Sequence, residues 1–588
     1  MNKRFLFSVL CLCLAPLFAL GDAMVVTRAM TASTIVEVYV ETQEVRVELE
    51  IGMADIESFK NILPDSIYQD MGNAPEPIKT RVDRFFKEDF VLRADGQLLQ
   101  GRIRQMEPRQ RILRDEITGE SLPVQGDGEH VLFAEFIFSW NTGAEDGDVA
   151  LPQALTLQPP SNERGYASGT LGMMVYHLGV PVMDFRYLSR PETLQLDWAD
   201  PWYSQFDNKN LWRQYNEPIS VFLYAEPFET RVEVIVRPKD IQQWHDLGIE
   251  GMDTIPVAMQ SQLKEQIAQF ILTKMEVKVD GAVVVPELQR INFLKRTLKS
   301  SIVIDPPEEL AANSATLGVI YSVPTATLPQ AAQVTWNLFS PKMQVVRAAG
   351  TDEAGPLPYR LSPDDNVLVW QNFLKNPTIP TIEALELPMT LKRIGIPFGT
   401  VLLLLTLLPI FRQLRRAKGR AMAWGGSGAV LIVAIVISPF LLVSVSVPVS
   451  AVSALTDETS TEVVAGLLKN VYTAFDFRDE ETIYDALDQS LQGDLLTEVY
   501  LQTMQSLELA SQGGARVKVK AVNLESIEFE EHDAGIQAVC TWDVLGSVGH
   551  WGHIHQRVNR YVAEMIVEPV DGIWKITSLE IMEEQRIK

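Results

Sequence analysis

Three of the seven histidines in this chain of 588 residues lie within six positions, at His550, His553 and His555. They belong to the run Gly549-His-Trp-Gly-His-Ile-His-Gln-Arg557, which has the pattern of a β-hairpin. Residues two apart on a strand project from the same face, so His553 and His555 would share a face and His550 could approach from the turn. Converging imidazoles bind zinc, copper or nickel. The run therefore predicts a candidate metal site at these three histidines.

Other roles for the histidines stay open. No carboxylate or thiolate stands at ligand spacing within the run, and Glu530 and Glu531 fall on a separate predicted loop. The imidazoles could instead serve in acid–base catalysis, or they could stack on Trp542 and Trp551 at a structural or protein contact. The structural or protein-contact role is the favoured interpretation. We therefore assign no catalytic residue and no cofactor other than a candidate Zn, Cu or Ni ion.

The histidines fall in a segment, 456–588, that predicts helices first and strands afterwards. Helical periodicity covers 463–475, 482–491 and 495–509, and strand patterns cover 516–529, 535–547, 554–568 and 573–583. This order, ending in Gly572-Ile-Trp-Lys-Ile576, resembles the NTF2-like cone fold that Tim44-like domains also use. The resemblance implies an α+β domain with a pocket between helices and sheet. Members include small-molecule enzymes and binding or assembly modules, so the fold alone does not assign a function.

Residues 24 to about 390 contain an internal duplication. The strand pattern Glu44–Ile51 recurs as Glu229–Val236 and the turn Asp95-Gly96 recurs as Asp280-Gly281, each 185 residues further along. The same offset relates the apolar face of one predicted helix to the next: Ile78, Val82, Phe85 and Phe86 correspond to Leu263, Ile267, Phe270 and Ile271. Alternating strands indicate sheets with one buried face. We predict two mainly β, sandwich-like domains, 24–212 and 213–390, each with one inserted helix.

Two features of these domains could bind a ligand. An Arg-x-Glu pair occurs in both copies, as Arg46 and Glu48 and as Arg231 and Glu233. We expect both pairs to lie on the solvent face of a strand, where ion pairs contribute little to stability. The aromatic segments 198–206 and 370–373 could line a groove for a peptide or a glycan. Closing a β core is the favoured interpretation of these aromatic residues.

Two apolar runs, Ile394–Phe411 and about Ala429 to Val449, flank a basic connector over 412–420. Each run approaches the roughly 20 residues that cross a bilayer. The connector contains only positive charges among its ionisable residues, which places it in the cytoplasm by the positive-inside rule. The sequence therefore predicts a transmembrane hairpin over 391–452, with both large flanks in the periplasm.

The N-terminus agrees with export. Lys3 and Arg4 precede an apolar run, and small residues follow it. This pattern predicts a signal peptide over 1–23, cleaved after Gly21 or Ala23. Cys540 is then the remaining cysteine, and its alternating strand predicts a buried structural thiol. The predicted location is the bacterial inner membrane, with two transmembrane helices.

Charge and motifs limit the function. The chain has 76 acidic against 51 basic residues, which disfavours a nucleic-acid partner. It has no nucleophile elbow, phosphate loop, His-Glu-x-x-His motif or dinucleotide fingerprint. We therefore predict an inner-membrane-anchored periplasmic binding or assembly scaffold without catalytic activity, in contact with the lipid bilayer and with protein partners at the periplasmic face. The alternatives are a metal-binding or metalloenzyme module that uses the histidine cluster, and an accessory subunit of a membrane transporter.

Overall fold

The computed structural model describes residues 28–587, apart from segments that include the larger part of 397–442. The segments left out are 116–118, 120, 123–128, 141–150, 163, 297–300, 388–390, 397–404, 406–411, 413–431, 433–435, 437–442, 449–455, 478, 514–515, 531–534 and 551–552. The backbone alone is described for 391–396, 443–448, 503, 505–513, 516–517, 548–550 and 553–555. The predicted signal peptide, 1–23, lies outside the described residues.

The first repeat consists of two sheets around one core. Its strands are β1 (Thr34–Val40), β2 (Glu44–Ile51), β3 (Val91–Ala94), β4 (Gln97–Leu98), β5 (Gly101–Gln110), β6 (His130–Ser139), β7 (Ala154–Gln158), β8 (Leu171–His177), β9 (Val180–Pro181), β10 (Arg186–Leu188), β11 (Glu192–Gln195) and β12 (Gln205–Phe206). Its helices are α1 (Asp65–Asp70), α2 (Ile78–Arg84), a π-helical turn (Phe85–Asp89) and the 3-10 helices Met53–Ile62, Pro201–Tyr203 and Lys209–Leu211. The larger sheet has the order β10-β8-β1-β2-β6-β5, and the smaller has the order β12-β11-β7-β3-β4.

The second repeat has the same central strand order as the first, with different edge strands. Its strands are β13 (Ile219–Glu226), β14 (Glu229–Val236), β15 (Thr254–Ile255), β16 (Met275–Val279), β17 (Ala282–Val284), β18 (Glu287–Arg296), β19 (Ser301–Val303), β20 (Leu310–Ala311), β21 (Thr316–Pro324), β22 (Ala331–Trp336), β23 (Val346–Asp352), β24 (Gly355–Leu361) and β25 (Val367–Gln371). Its helices are α3 (Pro238–Ile241) and α4 (Val257–Leu272). The sheets have the orders β24-β23-β13-β14-β21-β18-β19 and β25-β22-β16-β17, with β15 and β20 as a separate pair. The first hairpin strand pairs in parallel with a later strand in both repeats, β1 with β8 and β13 with β23.

The core of each repeat lies where the two sheets and the helical segment meet. In the first repeat Phe85 and Phe86 are almost fully buried and pack with the inward residues of β1, β2 and β6. In the second repeat Leu263 and Ile267 of α4 occupy the same role. Period-two alternation in the strands and helical spacing in the covering segment produce this arrangement, because each presents one apolar face. The part of the predicted helix face around Phe85, Leu263 and Ile267 is therefore in the core, whereas Ile78, at the start of the first predicted face, is 42% exposed.

The predicted transmembrane hairpin is wrong. None of the described helices combines the length and the apolar character needed to cross a membrane. The outer ends of the two predicted spans form antiparallel strands instead, β26 (Leu391–Ile396) and β27 (Val443–Pro448), with Ile394 opposite Val445. The run Val443-Ser-Val-Ser-Val447 alternates with period two and is rich in β-branched residues, which favours a strand. The connector 412–420 lies outside the described residues, except for Arg412.

This finding corrects two further predictions. The fold class with a two-helix membrane hairpin is replaced by a mostly β chain of two repeats, a short strand pair and a C-terminal α+β unit. The predicted location in the bacterial inner membrane with two transmembrane helices is contradicted as well, since no described helix supports it. The length of the apolar runs misled the prediction because apolar, β-branched runs fit strands as well as membrane helices.

The C-terminal unit has the predicted order of helices and strands. Its helices are α5 (Asp457–Thr473), α6 (Glu480–Asp488), α7 (Gly493–Gly513) and a 3-10 turn (Ala474–Asp476), and its strands are β28 (Arg516–Glu530), β29 (Ile536–His550), β30 (His553–Val570) and β31 (Ile573–Arg586). The strands form an antiparallel meander, β28-β29-β30-β31. Cys540 is fully buried on β29, and burial raises the pKa of its thiol to about 12, so the predicted structural thiol is confirmed.

Candidate functional site

The three histidines of the predicted metal site lie at the tip of the β29–β30 hairpin. The backbone register places His550 directly opposite His553, and His555 opposite Val548. The structure describes only the backbone at these positions, so the metal site stays a prediction. Among the residues whose side chains are described, no group of three or more His, Cys, Asp and Glu side chains could hold a metal ion.

A groove of about 510 Å³ lies where the two repeats meet. Its aromatic lining, Trp202, Tyr203 and Trp212, comes from the end of the first repeat, and Lys342 and Val345 line it from the second repeat. Aromatic side chains provide a large contact area with few rotatable bonds, so a groove of this kind suits binding. This groove is the candidate functional site.

The two indoles of the groove are fixed by their own N–H groups. Nε1 of Trp202 donates to the carbonyl oxygen of Asn216 at 3.0 Å, and Nε1 of Trp212 donates to that of Phe206 at 2.6 Å. Asn216 lies on the connection between the repeats, and Phe206 lies in β12 of the first repeat. The polar edge of each ring is therefore satisfied within the protein, and the ring surfaces form the walls.

Cations lie against all three rings. The Arg213 guanidinium lies 3.9 Å from the Trp202 ring centroid, Lys342 Nζ lies 5.1 Å from that of Tyr203, and Lys209 Nζ lies 5.7 Å from that of Trp212. Burial lowers the pKa of Arg213 to about 9, which leaves the guanidinium charged at neutral pH. Arg213 donates to two carbonyl oxygens, those of Pro181 at 2.6 Å and Trp202 at 2.5 Å. These contacts fix the rings electrostatically.

A buried ion network next to Trp202 and Tyr203 joins the repeats. Arg237 of the second repeat makes two hydrogen bonds to Asp200 of the first, at 2.9 and 2.5 Å, and two to Asp240, at 2.6 and 3.0 Å. The Tyr203 hydroxyl donates to Asp240 at 2.9 Å. Burial alone would raise the pKa of Asp200, but Arg237 lowers it overall. The network therefore fixes the Tyr203 hydroxyl and links the two repeats.

A histidine–serine pair lies at the groove, which Ser204 helps to line. Nδ1 of His177 is 2.7 Å from Oγ of Ser204, which accepts the backbone N–H of Asp197 at 2.9 Å. Burial lowers the pKa of His177 to about 4, so the imidazole is neutral at pH 7. Ser204 is 3% exposed, and Nε2 of His177 has no hydrogen-bond partner among the described residues. A nucleophile needs access and an oriented base, so this pair fits a structural role. Nothing in the sequence spacing links residues 177 and 204.

The aromatic residues of segments 198–206 and 370–373 have two different roles, core packing and lining of the groove. Phe206 and Trp370 are nearly fully buried in the cores, as the favoured interpretation predicts. Trp202 and Tyr203 line the groove instead. Trp212 was missed by sequence reasoning because it stands alone in the chain. Its orientation depends on a hydrogen bond to the carbonyl oxygen of Phe206, six residues earlier.

Comparison with known proteins adds little to this geometry. No known family model matches the chain, and no curated protein matches it. Among solved structures, 13 chains match, including the crystal structure of the intermembrane space region of the chloroplast protein ARC6. That region is 16% identical to this chain with a TM-score of 0.18, and the match covers 22% of this chain and 96% of that one. A TM-score of this size carries no argument for fold or function.

Proposed function

We propose that this protein is a binding scaffold without catalytic activity of its own, and that the groove between its repeats holds an extended peptide segment of a partner protein. The observation that carries the proposal is the convergence of Trp202, Tyr203 and Trp212 on one groove of about 510 Å³. Arg237 hydrogen-bonds Asp200 across the two repeats and lies against the Trp202 and Tyr203 rings. A preformed aromatic site binds without first ordering its own side chains, which lowers the entropic cost of association.

A peptide fits this groove better than a glycan does. Sugars bind aromatic rings by stacking on open faces, and here a cation lies against each ring. Proline-rich segments in the polyproline II conformation dock into grooves that are lined by aromatic side chains. They lose little conformational entropy on binding because they are already extended. The ion pair between Lys342 and Asp197 at the rim adds polar groups that can pair with a peptide backbone.

The test is selection of a random 12-residue peptide library on the immobilised full chain. We expect enrichment of proline- and aromatic-containing sequences that bind the wild-type chain. Val345 is 43% exposed at the groove, so Val345→Arg should block the groove without disturbing a core, and the selected peptides should lose binding at least tenfold. Phe373→Ala removes a ring that is 80% exposed and does not line the groove, and it should leave binding unchanged.

Two results would remove this proposal. One is a library that yields no peptide above background. The other is a set of peptides that bind Val345→Arg as tightly as wild type. An array of oligosaccharides tested in parallel separates the two ligand classes, because strong glycan binding that Val345→Arg abolishes would replace the peptide with a sugar.

We also propose that the C-terminal unit is an NTF2-like module that serves as a protein contact. Three helices followed by a four-stranded antiparallel meander support this proposal. A metal-binding module is the second candidate function, favoured by the backbone pairing of His550 with His553. Elemental mass spectrometry of untagged full-length protein tests it. Stoichiometric Zn, Cu or Ni that disappears in His553→Ala would support the metal site, and a metal-free wild-type protein after exposure to these ions would exclude it.

A further inference from the structure

The two repeats differ at one position on the outer face of the larger sheet. In the first repeat, Tyr176 of β8 stacks on Tyr39 of β1, with 5.1 Å between the ring centroids. In the second repeat, Tyr224 of β13 lies beside Thr351 of β23, which has no ring. A cavity of about 310 Å³ lies there, lined by Tyr224, Thr351 and residues of the C-terminal unit such as Lys518. The cavity therefore lies at the contact between the second repeat and the C-terminal unit.

Carboxylates outnumber cations on the lining of this cavity. Among the described residues, four acidic and three basic side chains line it. Arg231 is balanced by the buried Glu233 at 3.0 Å, and Lys518 is paired with Glu226 at 3.2 Å. The other ionisable groups of the described lining are the carboxylates of Asp352, Glu353 and Asp476 and the ammonium of Lys520. Asp476 has a further contact, but Asp352 and Glu353 still outnumber Lys520, so the cavity favours a positively charged ligand.

The two carboxylates at the end of β23 are held by neutral donors. Asp352 accepts a hydrogen bond from the Trp370 indole at 3.0 Å, and Glu353 accepts one from the Thr378 amide at 3.1 Å. A neutral N–H group orients a carboxylate without cancelling its charge. Glu353 and Lys520 are exposed, so this end of the cavity opens to solvent, where water and salt screen the Lys520 charge.

Two buried polar groups on the cavity lack partners. Thr351 is 4% exposed and Arg231 is 1% exposed. Oγ1 of Thr351 and Nη1 of Arg231 make no hydrogen bond to any residue that the structure describes. Native proteins leave few such groups, and a bound molecule is one explanation for them. Oγ1 can accept a hydrogen bond, whereas Nη1 can only donate one, so a ligand that satisfies both carries a donor and an acceptor.

The two unsatisfied groups lie a short distance apart. Arg231, Tyr224 and Thr351 stand on three neighbouring strands, β14, β13 and β23. Cα atoms two strands apart are separated by about 10 Å, and the Arg231 guanidinium reaches back over the Tyr224 ring, 4.4 Å from its centroid. Leu328 and Leu374 also line the cavity and offer apolar surface. A short aliphatic chain with a polar group at each end fits this lining.

We propose that this cavity binds a short aliphatic amino alcohol. Its ammonium group lies beside the carboxylates of Asp352 and Glu353 and donates a hydrogen bond to Oγ1 of Thr351. Its hydroxyl oxygen accepts a hydrogen bond from Nη1 of Arg231. Charge-assisted hydrogen bonds are roughly twice as strong as neutral ones, so the ammonium group provides most of the affinity. The site does not depend on the function proposed for the groove between the repeats, because it lies between the second repeat and the C-terminal unit.

The test is calorimetric titration of the full chain with 5-amino-1-pentanol. We expect saturable binding to one site. 1-Pentanol lacks the ammonium group and should bind about tenfold more weakly, or weaker still. Pentylamine lacks the hydroxyl group and should bind about threefold more weakly or less, because it leaves Nη1 of Arg231 without an acceptor.

Three variants locate the ligand. Glu353→Gln removes one charge at an exposed position and should weaken binding about fivefold or more. Glu250→Gln makes the same change at an exposed glutamate that does not line the cavity, and it should leave binding unchanged. Thr351→Val keeps the shape of the side chain and removes the hydroxyl, so it should weaken binding about threefold. The free Thr351→Val protein should be no less stable to urea than wild type, because the lost hydroxyl has no partner to leave behind.

Four results would contradict this assignment. Absence of saturable 5-amino-1-pentanol binding would overturn the proposal, and so would undiminished binding by Glu353→Gln. Equal binding of 1-pentanol would mean that the cavity holds an apolar chain and does not recognise its charge. Equal binding of pentylamine would remove the contact with Arg231 and reduce the ligand class to simple amines.

Discussion

The Arg-x-Glu pair lies in different surroundings in the two β repeats. In the first repeat the side chains of Arg46 and Glu48 are 27% and 28% exposed, whereas in the second those of Arg231 and Glu233 are 1% and 0% exposed. The strands have the same register with their hairpin partners. We expected both pairs to face solvent, and for the second repeat that expectation is wrong. The C-terminal unit contacts this end of the second repeat, for example through the ion pair of Lys518 with Glu226. The strand face that is partly exposed in the first repeat is therefore buried in the second.

At a second equivalent position, both residues are buried and only their hydrogen-bond partners differ. Asp55 of the first repeat accepts hydrogen bonds within its own repeat, from the hydroxyls of Thr34 and Thr170 at 2.8 and 2.9 Å. Its counterpart Asp240 binds Arg237 and the Tyr203 hydroxyl instead, and Tyr203 belongs to the other repeat. The carboxylate is satisfied in both places, as a buried charge requires. The two repeats therefore keep the same sheet positions, and the side chains that contact these positions differ where the repeats meet other units.

The largest expected difference between the repeats concerns the two arginines. Burial by itself lowers the pKa of Arg231, but nearby carboxylates, with Glu233 first, outweigh it and raise the pKa above its usual value. Arg231→Met leaves buried carboxylates without compensation and should cost about 3–5 kcal/mol of unfolding free energy. Arg46→Met removes a partly exposed pair and should cost less than about 1 kcal/mol. Urea denaturation of both variants measures these losses.

Equal losses of unfolding free energy for the two variants would contradict this comparison, because the buried pair would then contribute no more to stability than the partly exposed pair. Arg231→Lys serves as the control for charge. It keeps a cation next to Glu233 but loses the planar guanidinium over Tyr224, so its cost should fall between wild type and Arg231→Met.

The second-largest expected difference is in how the stability of each repeat depends on pH. His177 ends β8 of the first repeat, and the corresponding position of β23 is Asp352. Burial lowers the pKa of His177 to about 4 from its ordinary 6.5. As the pH falls from 6.5 to 4, the unfolded chain takes up a proton that the folded chain excludes, so stability is present above pH 6.5 and is lost toward pH 4. The loss should be about 3 kcal/mol, and it should be confined to the first repeat.

Hydrogen exchange at pH 7 and pH 4.5 measures this effect repeat by repeat. His177→Gln keeps a side chain that can bond Ser204 but has no titration in this range, so its first repeat should lose less protection between the two pH values than wild type does. The same loss in His177→Gln as in wild type would show that other groups cause the acid sensitivity.

Much of each repeat could be predicted from local patterns. The offset of 185 residues, the Asp-Gly turns and the helical spacing around Phe85 and Leu263 specified strands, turns and a covering helix. The helices and strands of the C-terminal unit also fell close to their predicted ranges, because their periodicity is long and regular. Local signals of this kind depend on neighbouring residues and survive without tertiary information.

The predictions were wrong or incomplete where contacts between residues distant in the sequence determine the structure. The run around Val443–Pro448 is apolar enough for a membrane helix, and only its alternation and its pairing with Leu391–Ile396 reveal a strand. The burial of Arg231 depends on a unit nearly 300 residues further along the chain. The groove needs Trp212 and Lys342 to meet across two repeats, and no spacing in the sequence encodes that meeting.

The smallest expected effect is the loss of stability when the turn residue Asp95 or Asp280 is replaced, and this loss should be equal in both repeats. Asp95 and Asp280 have positive φ values of 47° and 48°, and each is followed by a glycine in the same turn. Each Asp95 or Asp280 carboxylate accepts two backbone N–H groups, those of Gln153 and Ala154 in the first repeat and those of Gln330 and Ala331 in the second. Aspartate tolerates this left-handed conformation better than alanine does, and it satisfies two donors at the start of a neighbouring strand.

Asp95→Ala and Asp280→Ala should therefore each cost about 1–2 kcal/mol, with the two losses matching within about 0.5 kcal/mol. Urea denaturation of the single variants and of the double variant measures them, and the double variant should show the sum because the turns lie in separate repeats. The matched Asp→Asn variants keep one acceptor oxygen and tolerate the positive φ, so they should lose less. A large loss at Asp280 alone would mean that the junction with the C-terminal unit extends to this turn, and the two repeats would then differ in more than their interfaces.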